Sequence, residues 1–323
     1  MSEKLVEARR LRKHFLLKSG VFRTSGTVHA VDDVDFDISA GETLGLVGES
    51  GCGKTTAGLM VTGLLPPTSG SILVDGTDLW TLEAADRRRL TTRVQMVFQD
   101  PYGSLDPRMT VGDLVGEPLV VHKIADKTER QDLVNRMLER VGLSTEHYKR
   151  YPHEFSGGQA QRIGIARALI LNPKFVVADE PVSALDVSVR AQILNLLRDL
   201  QKELELTYLF ITHDLSVVRH MSDRIAVMYL GKIVEIARKR DLFDSPKHPY
   251  TQALVSAVPI PDPKRAKERK RKVLYGDVAS PVNPPSGCRF HTRCALANEY
   301  CKNNEPALVE VGRNHLVACH GVN

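Results

Sequence analysis

Gly45-Leu46-Val47-Gly48-Glu49-Ser50-Gly51-Cys52-Gly53-Lys54-Thr55-Thr56-Ala57-Gly58 decides the fold, because an apolar run ends there in a glycine-rich turn carrying a lysine and two threonines. Gly48, four residues, Gly53, Lys54 and Thr55 have the spacing of a phosphate-binding loop. Backbone N–H groups across Gly48, Ser50, Gly51, Cys52 and Gly53 are expected to curl around the α and β phosphates of a nucleotide such as ATP. Lys54 reaches the β and γ phosphates, and Thr55 ligates Mg²⁺. Upstream, Glu42 to Val47 reads as a buried strand. Downstream, Thr56 to Leu64 reads as a helix whose N-terminal dipole favours the anion.

The chain has 323 residues, 42% of them hydrophobic, which suits one large domain plus an appendage. A formal charge of +5 permits contact with anionic lipid or nucleic acid without arguing for either. No signal peptide opens it, and no apolar run approaches a membrane span, so a soluble intracellular polypeptide is expected, unless partners hold it at a membrane.

Strands continue on both sides of the loop. Residues 4 to 39 alternate, with a polar Ser19 to Thr27 segment between two pieces. Phe15 there is either a strand core residue or an aromatic face for adenine. Ser71 to Gly76 and Val94 to Phe98 read as short strands, the second ending at Gln99. From 110 to 150 the periodicity predicts helices, with Leu114, Val115, Leu119, Leu133, Met137, Leu138 and Val141 as core.

Phe155-Ser156-Gly157-Gly158-Gln159 precedes a helix expected from Gln161 to Leu171. The glycine pair is either a plain turn or a second anion-binding helix terminus with the Ser156 hydroxyl added. Phe175 to Glu180 reads as a strand delivering two carboxylates at its end. Asp179 is placed to hold Mg²⁺ and Glu180 to orient or deprotonate an attacking water. Ser183-Ala184-Leu185-Asp186 leads into another helix, Tyr208 to Thr212 is a buried strand ending at His213, and Ile225 to Glu235 reads as a hairpin. His213 is expected beside a γ-phosphate.

Beyond Ala257 the composition shifts to prolines and a run from Lys264 to Lys272 in which seven of nine residues are basic. It reads as a solvated linker, with membrane headgroups a weaker possibility. Four of the five cysteines, Cys288, Cys294, Cys301 and Cys319, then fall in the last 36 residues. An intracellular setting argues against disulfides. By chemistry alone four thiolates suit zinc or an iron–sulfur cluster, and no Cys-x-x-Cys pair marks a zinc ribbon. With few large apolar residues and several prolines, this tail is expected to need a metal centre for stability.

Taken in order, the phosphate loop, Gln99, Ser-Gly-Gly-Gln at 156 to 159, Asp179-Glu180, Ser-Ala-Leu-Asp at 183 to 186 and His213 resemble the complete motif set of an ABC-type ATPase, over about residues 4 to 255. Phe155 departs from the leucine usual before that glycine pair. The resemblance implies an α/β fold: a phosphate-loop parallel-sheet core, an antiparallel β subdomain and a helical subdomain, here with a small cysteine-rich C-terminal extension. The ATPase domain would span 4–257 with its helical part about 100–172, a linker 258–287 and a metal-cluster region 288–323.

Such cassettes pair head to tail, so Ser156, Gly157, Gly158 and Gln159 would cap the nucleotide of a second ABC ATPase subunit, identical or paralogous, and Asp186 would lie at the seam. Gln99 would sense the γ-phosphate and share the Mg²⁺, His213 would hold the γ-phosphate, and Phe15 would stack on adenine. His248-Pro249-Tyr250-Thr251-Gln252-Ala253-Leu254 and the cysteine spacing resemble the oligopeptide and dipeptide importer branch, which favours [4Fe-4S] over zinc. Implied partners are two transmembrane permease subunits and, indirectly, an extracytoplasmic substrate-binding protein, with the chain peripheral on the cytoplasmic face. Related importers take peptides, nickel complexes or short sugars. The competing function, a soluble ABC ATPase acting on nucleic acid or ribosomes, usually brings two cassettes or a long coiled-coil insertion, and this chain has neither.

Overall fold

The computed structural model describes residues 3–19, 23–259, 272, 274 and 276–322. Apart from Lys272, the basic run lies outside the described residues. In chain order come β1 (Lys4–Ser19), β2 (Arg23–Ser39), β3 (Thr43–Val47), α1 (Lys54–Val61), β4 (Ser69–Val74), β5 (Thr77–Asp78), α2 (Ala84–Thr91) and β6 (Val94–Val97). Helices α3 (Val111–Val121), α4 (Lys127–Arg140) and α5 (Gly157–Leu169) follow, then β7 (Phe175–Asp179), α6 (Val187–Leu204), β8 (Thr207–Thr212) and α7 (Leu215–Met221). The C-terminal part holds β9 (Arg224–Tyr229), β10 (Lys232–Arg238), α8 (Lys239–Asp244), α9 (Pro249–Ala257), α10 (Glu299–Asn303), β11 (Val309–Gly312) and β12 (His315–Val317). Two compact units are distinguished. The first is Met1–Leu5, Ser39–Glu42 and Thr81–Phe210, and the second is Val6–Ile38, Thr43–Trp80 and Ile211–Asn323.

In the first unit β6 and β7 run parallel, Val94 opposite Phe175 and Val97 opposite Ala178, with β8 on the other side of β7. Every residue of β7 is buried, as an unbroken apolar strand inside a parallel sheet should be. Both predicted helices at 110 to 150 form and are capped. Thr110 accepts from the Asp113 N–H, and Asp126 and Glu129 close a reciprocal box at the start of α4. Leu114, Val115, Leu119, Met137, Leu138 and Val141 are buried as expected, while Leu133 is only partly covered.

One boundary is corrected. Helix α5 begins at Gly157, four residues before the predicted start, and ends at Leu169. Ser156 accepts from the Gln159 N–H while the Gln159 side chain takes the Ser156 N–H. That capping box initiates the helix directly at the glycine pair and overrides the poor helix propensity of glycine.

The second unit carries two sheets. Order β2-β1-β4-β5 makes the expected antiparallel subdomain, with Val6 opposite Val74 and Leu73 opposite Asp78. In the other sheet β3 and β9 are parallel, and antiparallel strands extend it in the order β3-β9-β10-β12-β11. The hairpin read at 225 to 235 is β9–β10, turning at Leu230-Gly231.

The tail differs from its expectation. It is not left to stand by itself, because β12 pairs with β10, Glu235 opposite Val317. Phe290, 2% exposed, lies 5.2 Å from the Tyr229 ring and 5.4 Å from that of Tyr250. Sparse apolar residues suffice because the cover is borrowed from β9, β10 and α9. A buried carboxylate fastens the same region: Glu235 accepts from the Lys247 and His248 N–H groups at 2.8 and 2.9 Å, and sits 2.7 Å from His315 Nε2.

Candidate nucleotide site and cysteine site

Each unit holds part of the predicted set. In the second unit, β3 is buried throughout and feeds the loop. Gly48 and Gly53 are required there by space. A Cβ at Gly48 would stand 2.1 Å from the Met228 carbonyl oxygen, and one at Gly53 2.0 Å from that of Ala30. Gly53 also has φ 107°, in the left-handed region that favours glycine. It is the N-cap of α1 and offers no side-chain cap, and no acidic residue occupies the first turn. The helix therefore presents its first N–H groups and positive dipole end without a competing carboxylate.

Lys54, 5% exposed, donates from Nζ to the carbonyls of Gly48 and Glu49 at 2.9 and 3.0 Å. The ammonium is thus held across the mouth of the loop. Cys52 is buried, and burial pushes its thiol pKa up against the pull of Lys54. That makes it a packed, unreactive thiol. Phe15 is 38% exposed on β1, with Lys13 Nζ 5.2 Å from its ring centroid. An exposed face suits stacking better than a core role. His213 is exposed directly after β8, and its neighbour Asp214 caps α7 by accepting from the Ser216 N–H at 2.8 Å.

In the first unit, β7 ends at Asp179, a carboxylate 3% exposed. Glu180 follows in a left-handed conformation, φ 44°, sparsely populated for such a side chain. Gln99, exposed after β6, donates from Nε2 to Glu180 Oε2 at 3.3 Å. Those residues, 81 positions apart, are brought together as a pair.

Ser156 is exposed at the head of α5, and Gly158 faces α6, where a Cβ would meet Val189 Cγ1 at 2.3 Å. Gly157 has only ordinary contact. Phe155 is buried, and its carbonyl accepts from Tyr102 Oη at 2.7 Å. Asp186 caps α6, accepting from the Val189 N–H at 3.0 Å and the Ser188 hydroxyl at 2.8 Å, bonds that hold its carboxyl below the usual range.

The four tail cysteines are half-buried free thiols. Burial raises the Cys288 pKa to about 11; the Phe290 N–H pulls it down, and the thiols of Cys319, Cys294 and Cys301 push it up. The four thiols are thus electrostatic neighbours, but no three of their sulfurs lie within 4.8 Å of one another. Burial likewise raises Cys294 and Cys319, while the N–H groups of Leu296, Ala297 and Gly321 point at their sulfurs. Backbone N–H donors aimed at half-buried thiols fit sulfur ligation of a metal or cluster. Among the described residues, the one group of three that brings its ligand atoms within 4.8 Å of one another is His14, His29 and Asp32. There the Asp32 carboxylate is already engaged by the Arg289 guanidinium, with Lys232 and Arg12 nearby.

Sequence reasoning missed the fastening of the phosphate loop. Tyr250 Oη accepts from the Glu49 N–H at 3.0 Å, and Arg293 donates to both carboxylate oxygens of Glu49 at 2.8 and 3.2 Å. No local pattern signals partners more than 200 residues apart. The His248 to Leu254 segment that was singled out proves to be its scaffold. His248 Nδ1 accepts from the Tyr250 N–H at 3.1 Å, Pro249 starts α9, and Gln252 binds back to the Pro246 and Lys247 carbonyls.

The loop and uncapped helix of one unit, and the strand-end carboxylates of the other, are each features of a phosphate-loop ATPase. The ABC transporter sequence profile matches residues 31–183, and that of the oligopeptide/dipeptide transporter C-terminal region matches 234–301. The oligopeptide transport ATP-binding protein AppF of Bacillus subtilis is 53% identical over 98% of this chain and 97% of its own length. The chain belongs to the ABC transporter ATP-binding family. Among solved structures, the ADP- and phosphate-bound dimer of the ATP-binding cassette MJ0796 aligns at TM-score 0.65 and 29% identity over 73% of this chain and 99% of that one. CbiO1 from Clostridium perfringens, part of the transporter complex cbiONQ, aligns at 0.64 and 28% over 75% and 92%.

Proposed function

We propose that the chain is the ATP-hydrolysing subunit of an importer for di- and oligopeptides, pairing with a second cassette beneath two transmembrane permease subunits on the cytoplasmic face. The observation that carries the enzymatic reading is the Glu180 carboxylate, fixed by a left-handed backbone and by Gln99 next to the buried Asp179. The full-length relation to an oligopeptide transport ATP-binding protein supports the substrate class. That relation does not favour a nucleic-acid or ribosome role. Among the described residues, no helix is long and apolar enough to cross a membrane, so permease partners would supply the path and an extracytoplasmic binding protein would deliver the peptide.

In this reading Lys54 and the N–H groups at Ser50, Gly51, Cys52 and Gly53, with Thr55 and Thr56, bind the phosphates, and Phe15 stacks on adenine. Thr55, Gln99 and Asp179 would hold Mg²⁺, which would supply positive charge against that of the phosphates. Glu180 takes a proton from the attacking water while His213 holds the γ-phosphate. Ser156, Gly157, Gly158 and Gln159 of one copy close on the nucleotide of the other, with Asp186 at the seam. ATP then stabilises the closed pair and hydrolysis releases it, because only the closed state offers these extra donors. The ATPase spans 4–257 with a helical part near 100–172, and 258–287 links it to 288–323. In that last region Cys288, Cys294, Cys301 and Cys319 hold a [4Fe-4S] cluster, with zinc the competing occupant; the cluster is a structural staple.

The decisive experiment reconstitutes the chain with the permease subunits that copurify with it, in vesicles loaded with ATP, and measures uptake of labelled tripeptide. Uptake that needs ATP and Glu180 supports the reading; ATP hydrolysis with no permease bound and no peptide moved refutes the importer assignment.

A further inference from the structure

The phosphate loop is held by the region that follows the ATPase motifs, and it is held at Glu49. Three side chains converge on that residue. Its carbonyl accepts from Lys54 Nζ at 3.0 Å, its N–H donates to Tyr250 Oη at 3.0 Å, and its carboxylate takes the Arg293 fork at 2.8 and 3.2 Å. Two of the three partners come from α9 and the cysteine tail. The Arg293 side chain is only 7% exposed, and its guanidinium lies 5.9 Å from the Tyr229 ring centroid. Its backbone is fixed in turn: Arg293 N–H donates to the Phe290 carbonyl at 3.0 Å, His291 N–H to that of Cys288 at 2.9 Å, and Phe290 is wedged among Tyr229, Tyr250 and His248.

A carboxylate is an odd tenant for the second position of a loop built to surround a polyanion. Unpaired, it would repel the phosphates, and the repulsion is largest where protein displaces water. A bidentate guanidinium both cancels that charge and fixes the side chain in one plane.

We propose that Arg293 is a positioning residue for nucleotide binding, acting through Glu49: the C-terminal region presets the phosphate loop and neutralises its one acidic side chain. The inference rests on reading 48–56 as the nucleotide cradle. It gives the tail a second duty, independent of what its thiols bind. The role makes a sign-specific forecast, because the harm in removing Arg293 is the carboxylate it leaves behind.

The test uses the full chain and titrates a non-hydrolysable ATP analogue with Mg²⁺ by calorimetry, with melting followed by circular dichroism. R293Q is expected to weaken binding about tenfold. E49Q, whose amide still accepts one bond from Arg293, should lose less than about threefold, and the double variant E49Q/R293Q should regain most of the loss. R293K, a point charge without the fork, should fall between wild type and R293Q. Binding by R293Q within twofold of wild type, or a double variant no better than R293Q, overturns the proposal. Should R293Q fail to fold, R293K decides: affinity equal to wild type overturns the proposal, and a partial loss relieved by adding E49Q sustains it. A wild-type chain that binds no analogue instead defeats the nucleotide reading itself.

Discussion

Gln99 Nε2 stands 3.3 Å from a carboxylate oxygen of Glu180, whose backbone is held at φ 44°. Glu180→Gln keeps the shape and an acceptor for Gln99 but cannot take a proton from water. Turnover is expected to fall by about 10²–10⁴, with binding of Mg²⁺ and an ATP analogue within twofold of wild type. Steady-state hydrolysis and analogue titration separate the two. Hydrolysis within threefold of wild type would remove Glu180 from the chemistry.

Gly53→Ala places a methyl 2.0 Å from the Ala30 carbonyl oxygen at a backbone of φ 107°. The left-handed conformation alone costs alanine about 1–2 kcal/mol. Analogue binding is expected to disappear and the melting temperature to drop. Gly51→Ala is the control, since its φ of 78° brings the same strain with nothing within 4 Å. Equal behaviour of the two variants would show that close approach to Ala30 does not matter.

Ser156→Asp tests pairing in trans. Aspartate is as good an N-cap as serine, so α5 should stay intact and the melting temperature unchanged. A negative charge facing the partner's γ-phosphate should block closure. Analogue binding is expected to survive while hydrolysis falls at least about tenfold, as like charges meet in a site that excludes water. Unimpaired hydrolysis places Ser156 outside the working dimer.

Protein purified without oxygen should be brown and carry about four irons per chain. Cys288→Ser should remove both and open the tail to protease, whereas Cys52→Ser should leave iron content unchanged. Stoichiometric zinc without iron would make the tail a zinc site.

Burial lowers the His248 pKa from 6.5 to about 4. The unfolded chain then binds a proton that the folded chain refuses, so stability is full above pH 6.5 and declines as pH falls towards 4. Each unit contributes at most about 1.4 kcal/mol. His248→Asn keeps an acceptor for the Tyr250 N–H and should flatten this slope in urea midpoints measured at pH 7, 5.5 and 4.5. Coincident slopes would assign the acid sensitivity to another group.

Much of this was legible in the sequence, for a physical reason. The phosphate loop, β3, β7 and the β9–β10 hairpin are written in contiguous residues, where apolar runs and glycine spacing act locally. The start of α5 lies four residues before the one read from the sequence, because a glycine pair reads equally as a turn and the Ser156–Gln159 box starts the helix on it. Tail docking through Phe290 and the Glu49–Arg293 pair was invisible, since partners 244 positions apart leave no periodic trace. Nothing local announced that the turn between Cys288 and Cys294 carries a clamp on the loop.

Strand β12 lies along β10, and β11 lies along β12. The last strands thus act as a shutter over a hydrogen-bonding edge that would otherwise be open. A cassette shortened after Ala257 would expose the unpaired amides of β10, flanked by Ile233 and Ile236, to any extended chain that met them. Such a protein would keep every ATPase motif and still tend to stick to copies of itself, so its poor behaviour in solution would report on a bare strand edge and not on catalysis.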